Sequence, residues 1–383
     1  MRSLPIAAAT LGLAAALATT GGAADRPSDG GADALLDDAL RAMAMSRADL
    51  SFRTDYADHP DSFRITVADS LLRAPLATEH YVVRVADDVS ELVSLEDVVT
   101  ACAAQLDLVP EEPAAHATGD AAPTGCSASL LDRLVPAIEE AALELEIAFA
   151  GLSEEEKDFI REHAPVLLEE EEFDPEKPID VKEREAEEEE RLGDELLRIA
   201  GRVDYERIAR AGRIVARAVD AVLPHVREWA SEGVAGEAPG LRGTEGLASG
   251  DVLSVTSTLV GPVIIGGPGT TGYHEKAAII IDLGGDDAYD GAAAGTGGEG
   301  PAAIVIDAGG NDVYRGGDHA LGAGFMGVGI LVDLAGDDSY SAGSFSLGSG
   351  LFGVGILLDE GGNDTYAGDT CTEGSGAFGI GAH

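Results

Sequence analysis

Four octapeptides near the C-terminus set acidic or amide side chains beside a glycine turn and a tyrosine: DLGGDDAY from Asp282, DAGGNDVY from Asp307, DLAGDDSY from Asp333 and DEGGNDTY from Asp359. If copies of this unit stack, Asp282, Asp307, Asp333 and Asp359 form one column and Asp287, Asp312, Asp338 and Asp364 a second, five residues further on. Two unit charges about 4.8 Å apart repel by about 1 kcal/mol in water and by about 3–4 kcal/mol at an effective dielectric of 20. An exposed column survives this unaided, whereas a partly buried one calls for a cation. Calcium suits such a place, because it accepts carboxylate, amide and backbone oxygens in loose geometry. The pairs Asp286 and Asp287, Asn311 and Asp312, Asp337 and Asp338, Asn363 and Asp364 offer those oxygens. The same residue types also serve metal-free tight turns, since Gly, Asn and Asp tolerate positive φ.

The elements that would hold these groups follow from the spacing. The leading aspartates are 25, 26 and 26 positions apart, and a fixed period of this size is how a solenoid is written in sequence. The runs AAIIID, AAIVID, GILVD and GILLD are too short for helices and rich in Ile and Val, so each reads as a strand. Residues 251–383 are therefore expected to form a parallel β-solenoid, β-helix or β-roll like, with coils of 25 to 26 residues. Tyr289, Tyr314, Tyr340 and Tyr366 should stack in a column, and GAGFMGVG and GSGLFGVG should supply a third side with Phe325 and Phe352 filling space. The last stretch, GSGAFGIGAH, repeats the start of a further unit and stops before its aspartate, so the solenoid is expected to be truncated at residue 383.

The segment GGNDVYRGGD, residues 309–318, resembles the glycine-rich calcium-binding nonapeptide of RTX proteins. The longer GVGILxDxxGxDxY unit is similar to tandem repeats in uncharacterised secreted bacterial proteins. The RTX resemblance implies calcium held between successive turns. This chain departs from that pattern by having one such turn per coil and a tyrosine in place of a smaller apolar residue.

Upstream, the chain reads differently. Residues 1–24, with Arg2, an apolar run from Leu4 to about Ala18 and small residues before Asp25, have the form of a secretory signal peptide. The mature chain is then secreted, periplasmic or on the cell surface, without a transmembrane segment. Export makes a Cys102–Cys126 disulfide plausible and leaves Cys371 over. Residues 25–168 read as a mostly helical domain, with Ser94/Asp97 and Ser153/Glu156 spaced as capping boxes. SFRITVADSLL and HYVVRVA within it alternate enough to be expected as short strands. Residues 169–236 combine an acidic linker with one long helix whose Arg210, Arg213 and Arg217 should pair with glutamates; residues 237–250 are a linker.

The 70 acidic and 25 basic residues give a net charge of −45, which excludes the basic patch a nucleic-acid binder needs. Catalytic signatures are missing too: YHEKAAI begins like a zinc-protease motif but carries Ala278 where the second His belongs. GGPGTTG, residues 266–272, has neither the lysine nor the helix of a phosphate site and reads as the opening turn of the solenoid. The expectation is a secreted or cell-surface structural or binding protein, stabilised by calcium ions, with a cell-surface glycan or another surface protein as partner. The alternative is a carbohydrate-active enzyme on the same scaffold, for which Arg315, Asp318 and His319 form the only irregular polar cluster.

Overall fold

The computed structural model describes residues 30–47, 50, 64–90, 92–108, 127–169, 177–232, 246–291 and 293–383. The segment expected to be a signal peptide, residues 1–24, and Cys126 lie outside them. Among the described residues are eight α-helices, α1 (Gly30–Ala42), α2 (Thr66–Arg73), α3 (Thr78–Ser90), α4 (Leu95–Gln105), α5 (Ser127–Ala148), α6 (Glu154–Leu168), α7 (Ile179–Ala200) and α8 (Tyr205–Glu232), followed by fourteen strands. None of these helices is long and apolar enough to cross a membrane. α1 to α3 fall, with residues 105–107, in one compact unit; α4 to α8 and the strands fall in another.

In the smaller unit the two expected strands are helices. Tyr81 and Val85 are both buried and stand four residues apart, while Val82 and Val83 are exposed, which is helical rather than alternating burial. The Arg73 Nε to Asp69 Oδ2 ion pair at 3.0 Å, spaced i,i+4, supports α2. Short β-branched runs satisfy both periods, and the four-residue spacing prevails here.

The larger unit begins with helices that follow the sequence closely. Ser153 and Glu156 close a full capping box, with hydrogen bonds of 2.9 and 3.3 Å, and Ser94 Oγ accepts from Asp97 N at 3.1 Å. The expected long helix is broken: α7 ends at Ala200 with Gly201 as its cap, and Asp204 starts α8 by accepting from Arg207 N. α8 buries Ile208, Val215, Val219, Val222 and Val226 on one face. Its arginines pair as the sequence suggests, Arg210 with Glu144 at 3.2 Å and Arg213 with Glu96 at 3.1 Å, and Arg217 also reaches Glu96. Gly212 lets α8 approach the solenoid, since a Cβ there would lie 2.7 Å from Val354 Cγ2.

The solenoid has about four coils, roughly 26 residues apart, and three sides. One side stacks β2 (Gly261–Tyr273), β3 (Ile279–Asp282), β5 (Ala302–Asp307), β8 (Val328–Asp333), β11 (Val354–Asp359) and β14 (Ile380–Ala382) in parallel. The second continues β2 with β4 (Ala288–Asp290), β6 (Val313–Arg315), β9 (Ser339–Ser341) and β12 (Thr365–Ala367). The third is β7 (Gly324–Phe325), β10 (Gly350–Leu351) and β13 (Gly376–Ala377). β1 (Ala248–Thr258) lies antiparallel on β2. Register pairs Asp282 with Asp307, Asp307 with Asp333 and Asp333 with Asp359. A column of Ile264, Ile280, Val305, Leu331 and Leu357 forms the core with the tyrosines.

GGPGTTG is part of strand β2 rather than a turn. Its first glycine clears the way for the neighbouring coil: a Cβ on Gly266 would lie 2.1 Å from both Asp282 Oδ2 and the Tyr273 hydroxyl. Several corners depend on non-glycine residues instead. His319, Phe345 and Cys371, and again Met326, Phe352 and Phe378, recur at left-handed φ of 48–56°. That conformation is unfavourable for an L-residue, and its repetition at one place in each coil shows that stacking overrides local preference.

Candidate metal centre

Four strands of the first side, β3, β5, β8 and β11, end in an aspartate that turns inward. Asp282, Asp307 and Asp333 are 0% exposed, which removes water as a partner for their carboxylates. One oxygen of each closes a local turn, accepting the backbone N–H two residues on: Gly284, Gly309, Ala335 and, for Asp359, Gly361, at 2.7–3.1 Å. The other oxygen accepts a tyrosine hydroxyl from the second side. Tyr273 donates to Asp282, Tyr289 to Asp307, Tyr314 to Asp333 at 2.7 Å and Tyr366 to Asp359 at 2.7 Å. Tyr340 lies between, 3.2 Å from Asp333 and 3.1 Å from Asp359. The five rings stack at centroid distances of 4.5–4.8 Å, which positions the hydroxyls in one file.

The second aspartate column runs beside the first. Asp287, Asp312 and Asp338 are buried, and each Oδ1 accepts a backbone N–H from the preceding coil, of Thr271, Asp287 and Asp312 at 2.5, 2.6 and 2.7 Å. Asp364, less buried, accepts from Asp338 N at 2.9 Å. The Oδ2 atoms of Asp287, Asp312 and Asp338 are buried with no hydrogen-bond partner.

Burial raises the pKa values of these groups, because removing water penalises the charged form. For Asp282 and Asp312 burial is reinforced by the Asp307 charge, and for Asp307 it is opposed by the Tyr289 hydroxyl. Asp287 is raised by burial against the counteracting Thr271 amide. Asp333 is pushed up to about 8, by burial first and the Asp307 charge second, and Asp338 to about 6, by burial against the Asp312 amide. The tyrosines beside them are raised as well, first by burial.

Three groups of carboxylates converge: Asp282, Asp287 and Asp307; Asp312, Asp333 and Asp338; Asp338, Asp359 and Asp364. Within each, one oxygen per residue lies within 4.8 Å of the others. Three oxygens at that separation lie about 2.8 Å from their common centre, a little outside the 2.3–2.6 Å range of calcium–oxygen bonds, so a small inward movement of the side chains brings all three onto one ion. Such a group can hold a metal ion or share protons; left ionised and unaccompanied it is strongly unfavourable.

The remaining four residues of the sequence-derived set lie elsewhere. Asp286, Asn311, Asp337 and Asn363 form an exposed outer ladder in which each amide donates to the aspartate of the coil before it. Asn311 N and Nδ2 reach Asp286 Oδ1 at 2.9 and 3.2 Å, and Asn363 N and Nδ2 reach Asp337 Oδ1 at 2.9 and 3.3 Å. Asp337 N in turn donates to Asn311 Oδ1 at 3.0 Å. Tyr273 is the member that sequence reasoning missed. It precedes Tyr289 by 16 positions rather than 25 or 26, because β2 serves two sides at once.

The irregular polar cluster is dispersed into structural contacts. Arg315 faces Asp290 at 3.4 Å, Asp318 Oδ1 accepts from Ser344 N at 2.9 Å, and the His319 ring stacks on Phe325 with centroids 4.6 Å apart. Cys102 is buried, which pushes its thiol up to about 11, and the Cys371 thiol faces the Leu168 carbonyl oxygen at 3.9 Å.

Fold and site together define a repeat protein of the parallel β-solenoid class with stacked, buried aspartates inside it. Comparison with protein-family models, curated proteins and solved structures finds no match to this chain.

Proposed function

We propose that this chain is an exported, cell-surface or secreted scaffold protein whose solenoid is stabilised by calcium. The observation that carries the reading is the row of buried, partnerless Oδ2 atoms on Asp287, Asp312 and Asp338, each inside a convergent carboxylate group. A motif repeated in every coil serves the scaffold, whereas an active site requires one exceptional coil. Calcium is the ion of choice because the donors are all hard oxygens and the geometry is loose. The helices remain available for attachment to a surface glycan or another surface protein.

Thermal unfolding of the full chain, followed by circular dichroism, tests the ion. At a calcium concentration a hundredfold above Kd, each site adds about 2.7 kcal/mol, so the midpoint in millimolar calcium should exceed that in EDTA by many degrees. Equal midpoints at neutral pH would remove calcium from the account. Export is tested separately by fractionating the native host: a mature chain beginning at Asp25 is expected outside the cytoplasm. A cytoplasmic chain that retains Met1 would refute export.

A further inference from the structure

We infer that the solenoid holds one divalent cation in each of its three inter-coil gaps, with Asp338 bridging the last two. This deepens the calcium reading above and depends on it.

The three carboxylate groups map one to a gap. Asp282 and Asp287 meet Asp307 of the next coil; Asp312 meets Asp333 and Asp338; Asp338 meets Asp359 and Asp364. Each group therefore draws on two successive coils, and an ion within it ties one coil to the next. The first group shares no residue with the others, whereas the second and third share Asp338. The unpartnered Oδ2 atoms supply an independent pointer in every gap, one each from Asp287, Asp312 and Asp338.

Charge fixes the valence. Every added coil brings two inner carboxylates and creates one new gap, so one divalent ion per gap keeps the growing interior neutral. A monovalent ion would leave one carboxylate per coil either charged in a water-poor interior, where repulsion is severe, or protonated. Protein cations do not relieve it: among the described residues, no Lys or Arg forms an ion pair with any of the eight inner carboxylates. The tyrosine hydroxyls donate hydrogen bonds to the first column but carry no positive charge.

The bridge makes the gaps unequal. Asp287 belongs to one group, Asp364 to one, and Asp338 to two. Replacing each by the near-isosteric amide should remove different numbers of ions while retaining the shape and the backbone hydrogen bond. Native mass spectrometry of the full chain, stripped with chelator and titrated with calcium alone, is expected to count three bound ions. Asp287→Asn and Asp364→Asn should each count two, and Asp338→Asn should count one, with β-sheet dichroism retained throughout. Calcium binding in which Asp338→Asn loses no more ions than Asp287→Asn would overturn the bridged array and leave the calcium reading standing. A wild-type chain that binds no calcium would overturn both. Should Asp338→Asn fail to fold, Asp364→Asn carries the test: freeing Asp338 from the last gap should change affinity in the middle gap about fivefold or more. An unchanged affinity there would overturn the bridge.

Discussion

From about pH 5 to about pH 8 the calcium-free protein is expected to lose stability steeply, and millimolar calcium is expected to abolish most of that loss. In the unfolded chain an aspartate ionises near pH 4, at about 3.9. In the fold, Asp333 holds its proton up to about 8, and burial raises Asp282, Asp287, Asp307 and Asp312 in the same direction. The folded state thus binds more protons than the unfolded one throughout this window. Its stability is complete below the unfolded value and falls as pH rises through the folded values. One such group changes stability by about 1.4 kcal/mol per pH unit, so Asp333 alone accounts for about 5 kcal/mol by pH 8. A typical domain has only about 5–15 kcal/mol in total. Melting curves in EDTA across this range should show a midpoint falling by about 10 °C or more. With calcium bound the carboxylates are ionised in the fold as well, and the slope should flatten. A midpoint independent of pH in EDTA would mean that the inner carboxylates reach water, contrary to the burial described here.

Asp307→Ala should be the most damaging single substitution in the solenoid, while Asp337→Ala, which removes the same functional group a short distance away, should be tolerated. Asp307 is fully buried and accepts from the Tyr289 hydroxyl and from Gly309 N. Truncation leaves both donors buried without an acceptor, at about 1–3 kcal/mol each, and opens a cavity between two coils. The expected loss is about 4–6 kcal/mol in calcium. Asp337 is on the exposed outer ladder, where water can replace its hydrogen bonds to Asn363, and about 1 kcal/mol is expected. Chemical denaturation of the two variants beside the parent measures the contrast; equal losses would show that the two ladders do not differ in the way described.

The architecture of the solenoid was legible because its signal is redundant. A period of 25 or 26, apolar runs of four to six residues and a fixed Asp-to-Tyr spacing all demand the same stacked coil. α2 and α3 were illegible for the opposite reason: a few β-branched residues satisfy a strand and a helix equally, and in α3 the tertiary burial of Tyr81 and Val85 decides. The division of the acidic residues into inner and outer sets was partly legible. The inner positions, Asp282 to Asp359 and Asp287 to Asp364, are aspartate in every unit, whereas the position just before the second column reads Asp286, Asn311, Asp337, Asn363. A place that accepts either side chain is one that water can reach. That the first column is silenced by tyrosine hydroxyls could not be read from spacing alone, because it depends on how two sides of the coil face each other.

The outer ladder also gives the solenoid a parity. An amide sits against a carboxylate at every step only because the coils alternate, so deleting or inserting one coil within the stack would bring Asp against Asp or Asn against Asn. Adding two together preserves the alternation, as the 52 positions from Asn311 to Asn363 do. The natural quantum of growth for this repeat is therefore the coil pair, and lineages that lengthen or shorten it should do so in steps of about fifty residues rather than twenty-six.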